Sequence, residues 1–358
     1  MPRVNPTCAR PARTGPRWIG LALAAFIAFA GGLPAAPIHD AAKAGDVAQV
    51  RSLLTADPGS IDARDASSFT PLLFAAQNDR LEALNFLLDK GAARDAATNT
   101  GFTALTIAAG AGHVAIVTAL LERGAPLDPK DIRGPTPLMI AAQGGQLEVA
   151  TLLLDKGANI NASAGGYTAL ALALAGHLDV AKLLLAHGAN ADTKTTDGVT
   201  PLMVAAEAGE LEAVNLLLAK NVPADAASSA GATALYFAAE AGHADVVDRL
   251  LEQKVTVDAP TKKGITPVMI AARNGHLAIV KTLLDKGAAA DARASLGGVS
   301  ALMLAARNGH ADVAQLLLER NAELEAQDGN GFTPLTNAIE GGHLDVARCC
   351  SPRARPWM

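Results

Sequence analysis

Aromatic side chains are scarce here: two Trp, two Tyr and eight Phe among 358 residues. Hydrophobic residues still make up 50% of the chain, and Ala and Leu carry most of it, as a close-packed helical array requires. Cysteine is almost absent. Cys8, Cys349 and Cys350 all lie outside residues 37–348, so that span has neither a disulfide framework nor a Cys-type zinc site. No Cys-x-x-Cys-His haem attachment motif occurs. Positive charge is short as well. The chain has 30 basic residues; four lie in residues 1–36 and two in 349–358, and both ends lack acids. The 24 that remain face 35 acids, a net of −11. Such a body argues against nucleic acid as a general partner. Gly-x-Ser-x-Gly, His-Glu-x-x-His, a phosphate loop and a dinucleotide fingerprint are all missing, which removes the common enzyme classes.

What is present is a phrase that returns about every 33 residues. It reads Thr70-Pro71-Leu72, Thr103-Ala104-Leu105, Thr136-Pro137-Leu138, Thr168-Ala169-Leu170, Thr200-Pro201-Leu202, Thr233-Ala234-Leu235, Thr266-Pro267-Val268, Ser300-Ala301-Leu302 and Thr333-Pro334-Leu335. The spacings are 33, 33, 32, 32, 33, 33, 34 and 33. A fixed period of this length means a stacked array of small units.

One unit shows why. Thr266 precedes a helix-compatible run, so its hydroxyl is expected to cap free N–H groups. Pro267 sits at the first helical position, where a missing N–H costs nothing. Asn274-Gly275 ends this short helix, with Gly in the left-handed conformation. His276-Leu277 opens a second helix whose Ile279, Val280, Leu283 and Leu284 recur at helical spacing. Lys286-Gly287 stops it, and a turn-like stretch from Asp291 to Gly298 leads to the next unit. The Ala-Ala pairs at 75–76, 108–109, 141–142, 205–206, 238–239, 271–272 and 305–306 let first helices approach closely. A single helix pair cannot hide its apolar surface, so neighbours must stack on it.

These residues resemble the ankyrin repeat: T-P-L, then A-A, G-H, V-x-L-L-L and G-A. The resemblance covers about residues 37–348, in roughly ten repeats. It implies an all-α solenoid of helix–turn–helix repeats joined by hairpin-like turns. An earlier unit, Pro37-Ile38-His39-Asp40-Ala41-Ala42, lacks the Thr and suits a terminal cap. The family usually has His directly after T-P-L, bonding between turns. Here Leu73, Thr106, Met139, Ala171, Met203, Tyr236, Met269, Met303 and Thr336 stand there, so packing is expected to replace that bond. The unit from Thr168 has lost one residue before Gly176, and the turn before it another, which predicts a local irregularity.

The two ends differ from the array. Residues 1–36 begin with Arg3, Arg10, Arg13 and Arg17, continue with the apolar run Trp18–Ala30 and close with Gly31-Gly32-Leu33-Pro34-Ala35-Ala36. This is the order of a secretory signal peptide. Ala28-Phe29-Ala30 offers small residues at cleavage spacing, and Ala35 is another site. The run is short against the about 20 residues a span needs, so cleavage is favoured over an uncleaved membrane anchor. Either outcome exports the array, to the periplasm or beyond, with membrane contact only through residues 18–30 if they are retained. Residues 349–358 form an atypical basic tail, where a leucine-rich helix is due. Pro352 ends any helix there, and the abrupt change suggests a truncation or a shifted reading frame.

His113, His177, His243, His276, His310 and His343 occupy one place in the repeat, just after the inter-helix Gly. Repeats stack about 8–10 Å apart, while zinc ligands each lie about 2 Å from one ion. Neighbouring copies therefore cannot share a metal, and their expected role is to cap the second helix. His39 and His187 fall outside the series. No metal and no cofactor are expected.

By resemblance, the positions before Thr and seven residues after it face the concave groove. Phe69, Phe102, Tyr167 and Phe332 stand before Thr, and are candidate anchors or shields of the hairpin tips. Seven residues after Thr the series reads Gln77, Gly110, Gln143, Ala175, Glu207, Glu240, Arg273, Arg307 and Glu340. It runs from neutral to acidic to basic, and Lys262 and Lys263 reinforce the basic part. Complementary charge order would fix a partner in one register; a merely solvated face is the alternative. The functional expectation is a monomeric, exported scaffold that binds a partner protein non-covalently. A membrane-tethered regulatory subunit of an envelope enzyme is the alternative. An enzyme, the reading from another class, would need clustered, perturbed ionisable groups.

Overall fold

The computed structural model describes residues 36–128 and 134–351. The signal-like segment up to residue 35 and the tail beyond Ser351 lie outside them. Twenty α-helices form among the described residues, in ten consecutive pairs. They fall into two compact units, 36–193 and 194–351, and each is an all-α solenoid.

The first unit holds α1 (Pro37–Ala44), α2 (Val47–Ala56), α3 (Pro71–Gln77), α4 (Leu81–Asp89), α5 (Ala104–Ala111), α6 (Val114–Glu122), α7 (Pro137–Gln143), α8 (Leu147–Asp155), α9 (Ala169–Ala173) and α10 (Leu178–Ala186). The odd-numbered helices pack on one another in sequence, and the even-numbered ones do the same beside them. The second unit repeats the scheme with α11 (Pro201–Ala208), α12 (Leu211–Leu218), α13 (Ala234–Ala241), α14 (Ala244–Leu251), α15 (Pro267–Arg273), α16 (Leu277–Asp285), α17 (Ala301–Asn308), α18 (Ala311–Glu319), α19 (Pro334–Glu340) and α20 (Leu344–Cys349).

The recurring phrase builds these helices as its chemistry dictates. The hydroxyls of Thr70, Thr103, Thr136, Thr168, Thr200, Thr233, Ser300 and Thr333 each accept the N–H three residues on, at 3.2–3.4 Å. A cap of this kind contributes about 1 kcal/mol. Thr266 corrects the expectation placed on it: its buried hydroxyl oxygen has no hydrogen-bond partner. Both Ala of each of the seven pairs are fully buried. A methyl at these points leaves no gap and allows nothing larger, so the first helices form the tight seam of each stack.

The irregularity expected near Thr168 is present. A two-residue antiparallel ladder pairs Ser163 with Thr168 and Ala164 with Tyr167. Gly165 and Gly166 turn it with φ of +59° and +82°, the backbone a tight hairpin of this twist demands. The helix that follows, α9, has only five residues. At the other end, α20 has six residues where α18 has nine. Cys349 and Cys350, grouped with the tail on composition, close that helix, and Cys350 is buried. Burial, and then the neighbouring Cys349, push the Cys350 thiol up to about 11.

Candidate partner-binding surface

The surface begins with what holds successive repeats together, because those contacts decide which side chains are left to face outward. The histidines do not cap their own helices: no side-chain cap bond forms at His113, His177, His243, His276, His310 or His343. Four of them reach back instead. His113 Nε2 lies 3.4 Å from the Gln77 carbonyl, His243 3.0 Å from Glu207, His276 3.2 Å from Glu240 and His310 3.0 Å from Arg273. A carbonyl only accepts, so Nε2 carries the hydrogen in each case. Where His is missing, Arg80 Nε donates to the Lys43 carbonyl at 3.1 Å, and Gln146 Nε2 to that of Gly110 at 3.3 Å. The expectation that packing alone ties repeats together is thereby corrected.

A second set of ties runs along the far side of the turns. Asp62, Asp128, Asn161, Asp225, Asp258 and Asp291 each accept the backbone N–H of a residue 29–32 positions on, in the next repeat, at 2.6–3.0 Å. Their signal was available, since Asp recurs in phase at 62, 95, 128, 192, 225, 258 and 291. His39 was also underrated. It stands directly after Ala36-Pro37-Ile38, the place usually held by His in the T-P-L phrase. Its Nδ1 accepts the Ala36 N–H at 3.1 Å, and its Nε2 bonds the Ala63 carbonyl at 2.8 Å.

The acceptors of the histidine ties, Gln77, Glu207, Glu240 and Arg273, all stand seven places after a Thr. Their carbonyls are committed to the scaffold, and only their side chains face outward. Two of those side chains are committed too. Arg273 Nη2 lies 3.2 Å from Glu240 Oε1, with both side chains largely covered. The sequence reading placed two acids and then two bases at a partner's disposal; at its centre the series neutralises itself. Glu207 and Arg307, on either side, are exposed, as are Lys262 and Lys263.

The four aromatic candidates separate in the same way. Phe69 is half-buried, with its ring 5.2 Å from that of Phe74, and Phe74 in turn packs beside His39. Tyr167 is buried in the Gly165-Gly166 hairpin. Both shield hairpin tips. Its burial removes Tyr167 from the outward-facing anchors. Phe102 is half-buried and Phe332 is exposed.

Among the described residues, no group of three or more His, Cys, Asp or Glu is placed to hold a metal ion, and no helix is long and apolar enough to cross a membrane. What the fold and its surface define is a class, the repeat scaffold: regular ties within, variable side chains at the tips and helix ends. The family model of ankyrin repeats (3 copies) matches residues 38–131, 124–195, 187–261 and 269–349. The chain belongs to the ankyrin-repeat family. Repeats of this family generally mediate protein–protein interaction and are typically non-enzymatic. No curated protein matches the chain.

Proposed function

We propose that the chain is an exported scaffold that holds a partner protein non-covalently against its concave face. That face is built from the hairpin tips and the first helix of each repeat. The observation that carries this reading is the division of labour seven residues after each Thr. At Gln77, Gly110, Glu207, Glu240 and Arg273 the carbonyl is tied to the next repeat, while the side chain changes from one to the next. A rigid frame with variable outward groups suits recognition, since little ordering cost is left to binding. Export is supported by the order of Arg, apolar and small residues in positions 1–36.

Photocrosslinking tests the face. A crosslinking amino acid at Phe102 or Glu207 is expected to trap a partner in envelope extracts, and one at Glu148 or Glu212, on second helices, to trap none. Crosslinks confined to Glu148 and Glu212 would sink the concave-face reading. N-terminal sequencing of the mature protein tests export. A start after Ala30 or Ala35 supports it, and an intact Met1 in a cytoplasmic fraction overturns it.

A further inference from the structure

The last three repeats carry cations that nothing in the fold uses. Among the described arginines of residues 194–351, five are engaged. Arg249 bonds Asn215 and Glu252, and Arg273 bonds Glu240. Arg293 donates to the Gln327 carbonyl, Arg320 pairs with Asp285 and Arg348 with Asp345. Arg307 has no such partner and is exposed. Lys262 and Lys263 are alike: their ammonium groups are exposed and unpaired, while their backbone is held. The Lys262 N–H donates to the Ala230 carbonyl at 2.8 Å, and the Lys263 carbonyl accepts the Ser295 N–H at 3.0 Å. Their positions are therefore set before any partner arrives.

Apolar groups lie beside them. Leu296, one repeat on, is 53% exposed, and its N–H points at the Lys263 carbonyl at 3.5 Å. Phe332, a further repeat on, is 37% exposed. Among the described residues no ion pair joins Lys262, Lys263 or Arg307 to an acid. Asp328 uses its Oδ1 on the N–H groups of Asn330 and Phe332, at 2.8 and 2.9 Å. Glu340 forms no ion pair with Arg307. The array as a whole is acidic, and these three cations stand within it.

We propose that Lys262, Lys263, Leu296, Arg307 and Phe332 form a docking ledge for an extended acidic segment of the partner protein. The inference rests on the partner-binding reading above and names the chemistry of one part of that surface. Charge complementarity selects the occupant: three unneutralised cations on an acidic body attract a carboxylate-bearing segment and hold it in one register. Repeat spacing sets its pattern. Neighbouring repeats lie about 10 Å apart and an extended chain advances about 3.3 Å per residue, so about three residues cross each repeat. A segment with acids at one point, an apolar side chain about three residues later and another about three after that places carboxylates on Lys262 and Lys263 and apolar groups on Leu296 and Phe332. Arg307, near the far end of α17 and about 10 Å along it from Ser300, meets a carboxylate on the segment's other side.

Fluorescence anisotropy with the full chain tests this. The probe is a fluorescein-labelled peptide with two glutamates and leucines about three and six residues later. Controls are the same peptide with lysines for glutamates, and a scramble of identical composition. The glutamate peptide is expected to bind at least about tenfold tighter than either control. The combined change Lys262→Glu, Lys263→Glu and Arg307→Glu is expected to remove that preference, and Leu296→Ser with Phe332→Ser to weaken binding about fivefold, with unchanged circular dichroism. Absent binding, an equal or stronger lysine peptide, or indifference to the charge reversal overturns the ledge. Its failure is distinct from failure of the wider reading. Trapping of a partner at Phe102 or Glu207 that survives the charge reversal leaves the scaffold standing without this ledge.

Discussion

The two units answer the same problem with different groups. In residues 36–193 the place that opens each second helix holds Asp46, Arg80, His113, Gln146 and His177; Arg80, His113 and Gln146 reach back to a carbonyl at 3.1, 3.4 and 3.3 Å. In residues 194–351 that place holds Glu210 first and then His243, His276 and His310, at 3.0, 3.2 and 3.0 Å from a carbonyl of the repeat before, with His343 after them. The rings also change what the preceding glycines must be. A Cβ on Gly242, Gly275 or Gly309 would come within 2.5–2.7 Å of the next repeat's His ring. At Gly112 the obstacle is only the end of the flexible Gln146 side chain. One repeat phrase thus tolerates two kinds of lock, and only the second fixes both the glycine and its neighbour.

Substitutions that separate these locks should rank accordingly. Gly242→Ala combines left-handed strain (φ +91°) with displacement of the His276 ring, and should cost about 2–3 kcal/mol. Gly112→Ala, at φ +76°, should cost about 1 kcal/mol, because Gln146 swings aside. Urea unfolding measures both, and equal losses would erase the distinction between the two kinds of lock, the ring also standing against Gly145 in the first unit. Next comes His310→Ala, expected to lose about 1 kcal/mol, against about half that for Gln146→Ala. Hydrogen exchange at the flanking helices reads these changes repeat by repeat, which suits an array better than one global transition. Smallest is the ion-pair effect. A double-mutant cycle on Glu240 and Arg273, largely covered, should give about 0.5–1 kcal/mol, and one on Asp89 and Arg123, more open, close to zero.

Much of this architecture was legible in the sequence. The Thr-Pro-Leu phrase marks where first helices start, and the Ala pairs mark the seam, because capping and close packing are local demands written into residue type. The ties between repeats were harder to see. A His after Gly looks like a helix cap within its own unit; only the fold shows that the nearest free carbonyl belongs to the unit before. Likewise Glu240 and Arg273 read as neighbours in a charge series, and 33 residues of separation conceal that they touch. Tyr167 looked like an anchor because the exposure of a ring depends on the length of its turn, and Gly165-Gly166 make that turn short. The aspartate series was readable as a period but carried no meaning without the backbone groups it faces.

The direction of these ties has a consequence for how the molecule is made. The rings of His113, His243, His276 and His310 point to carbonyls earlier in the chain, and the turn aspartates to amides later in the chain. A polypeptide delivered N-terminus first therefore presents every new helix pair with an acceptor already in place and a donor still to come.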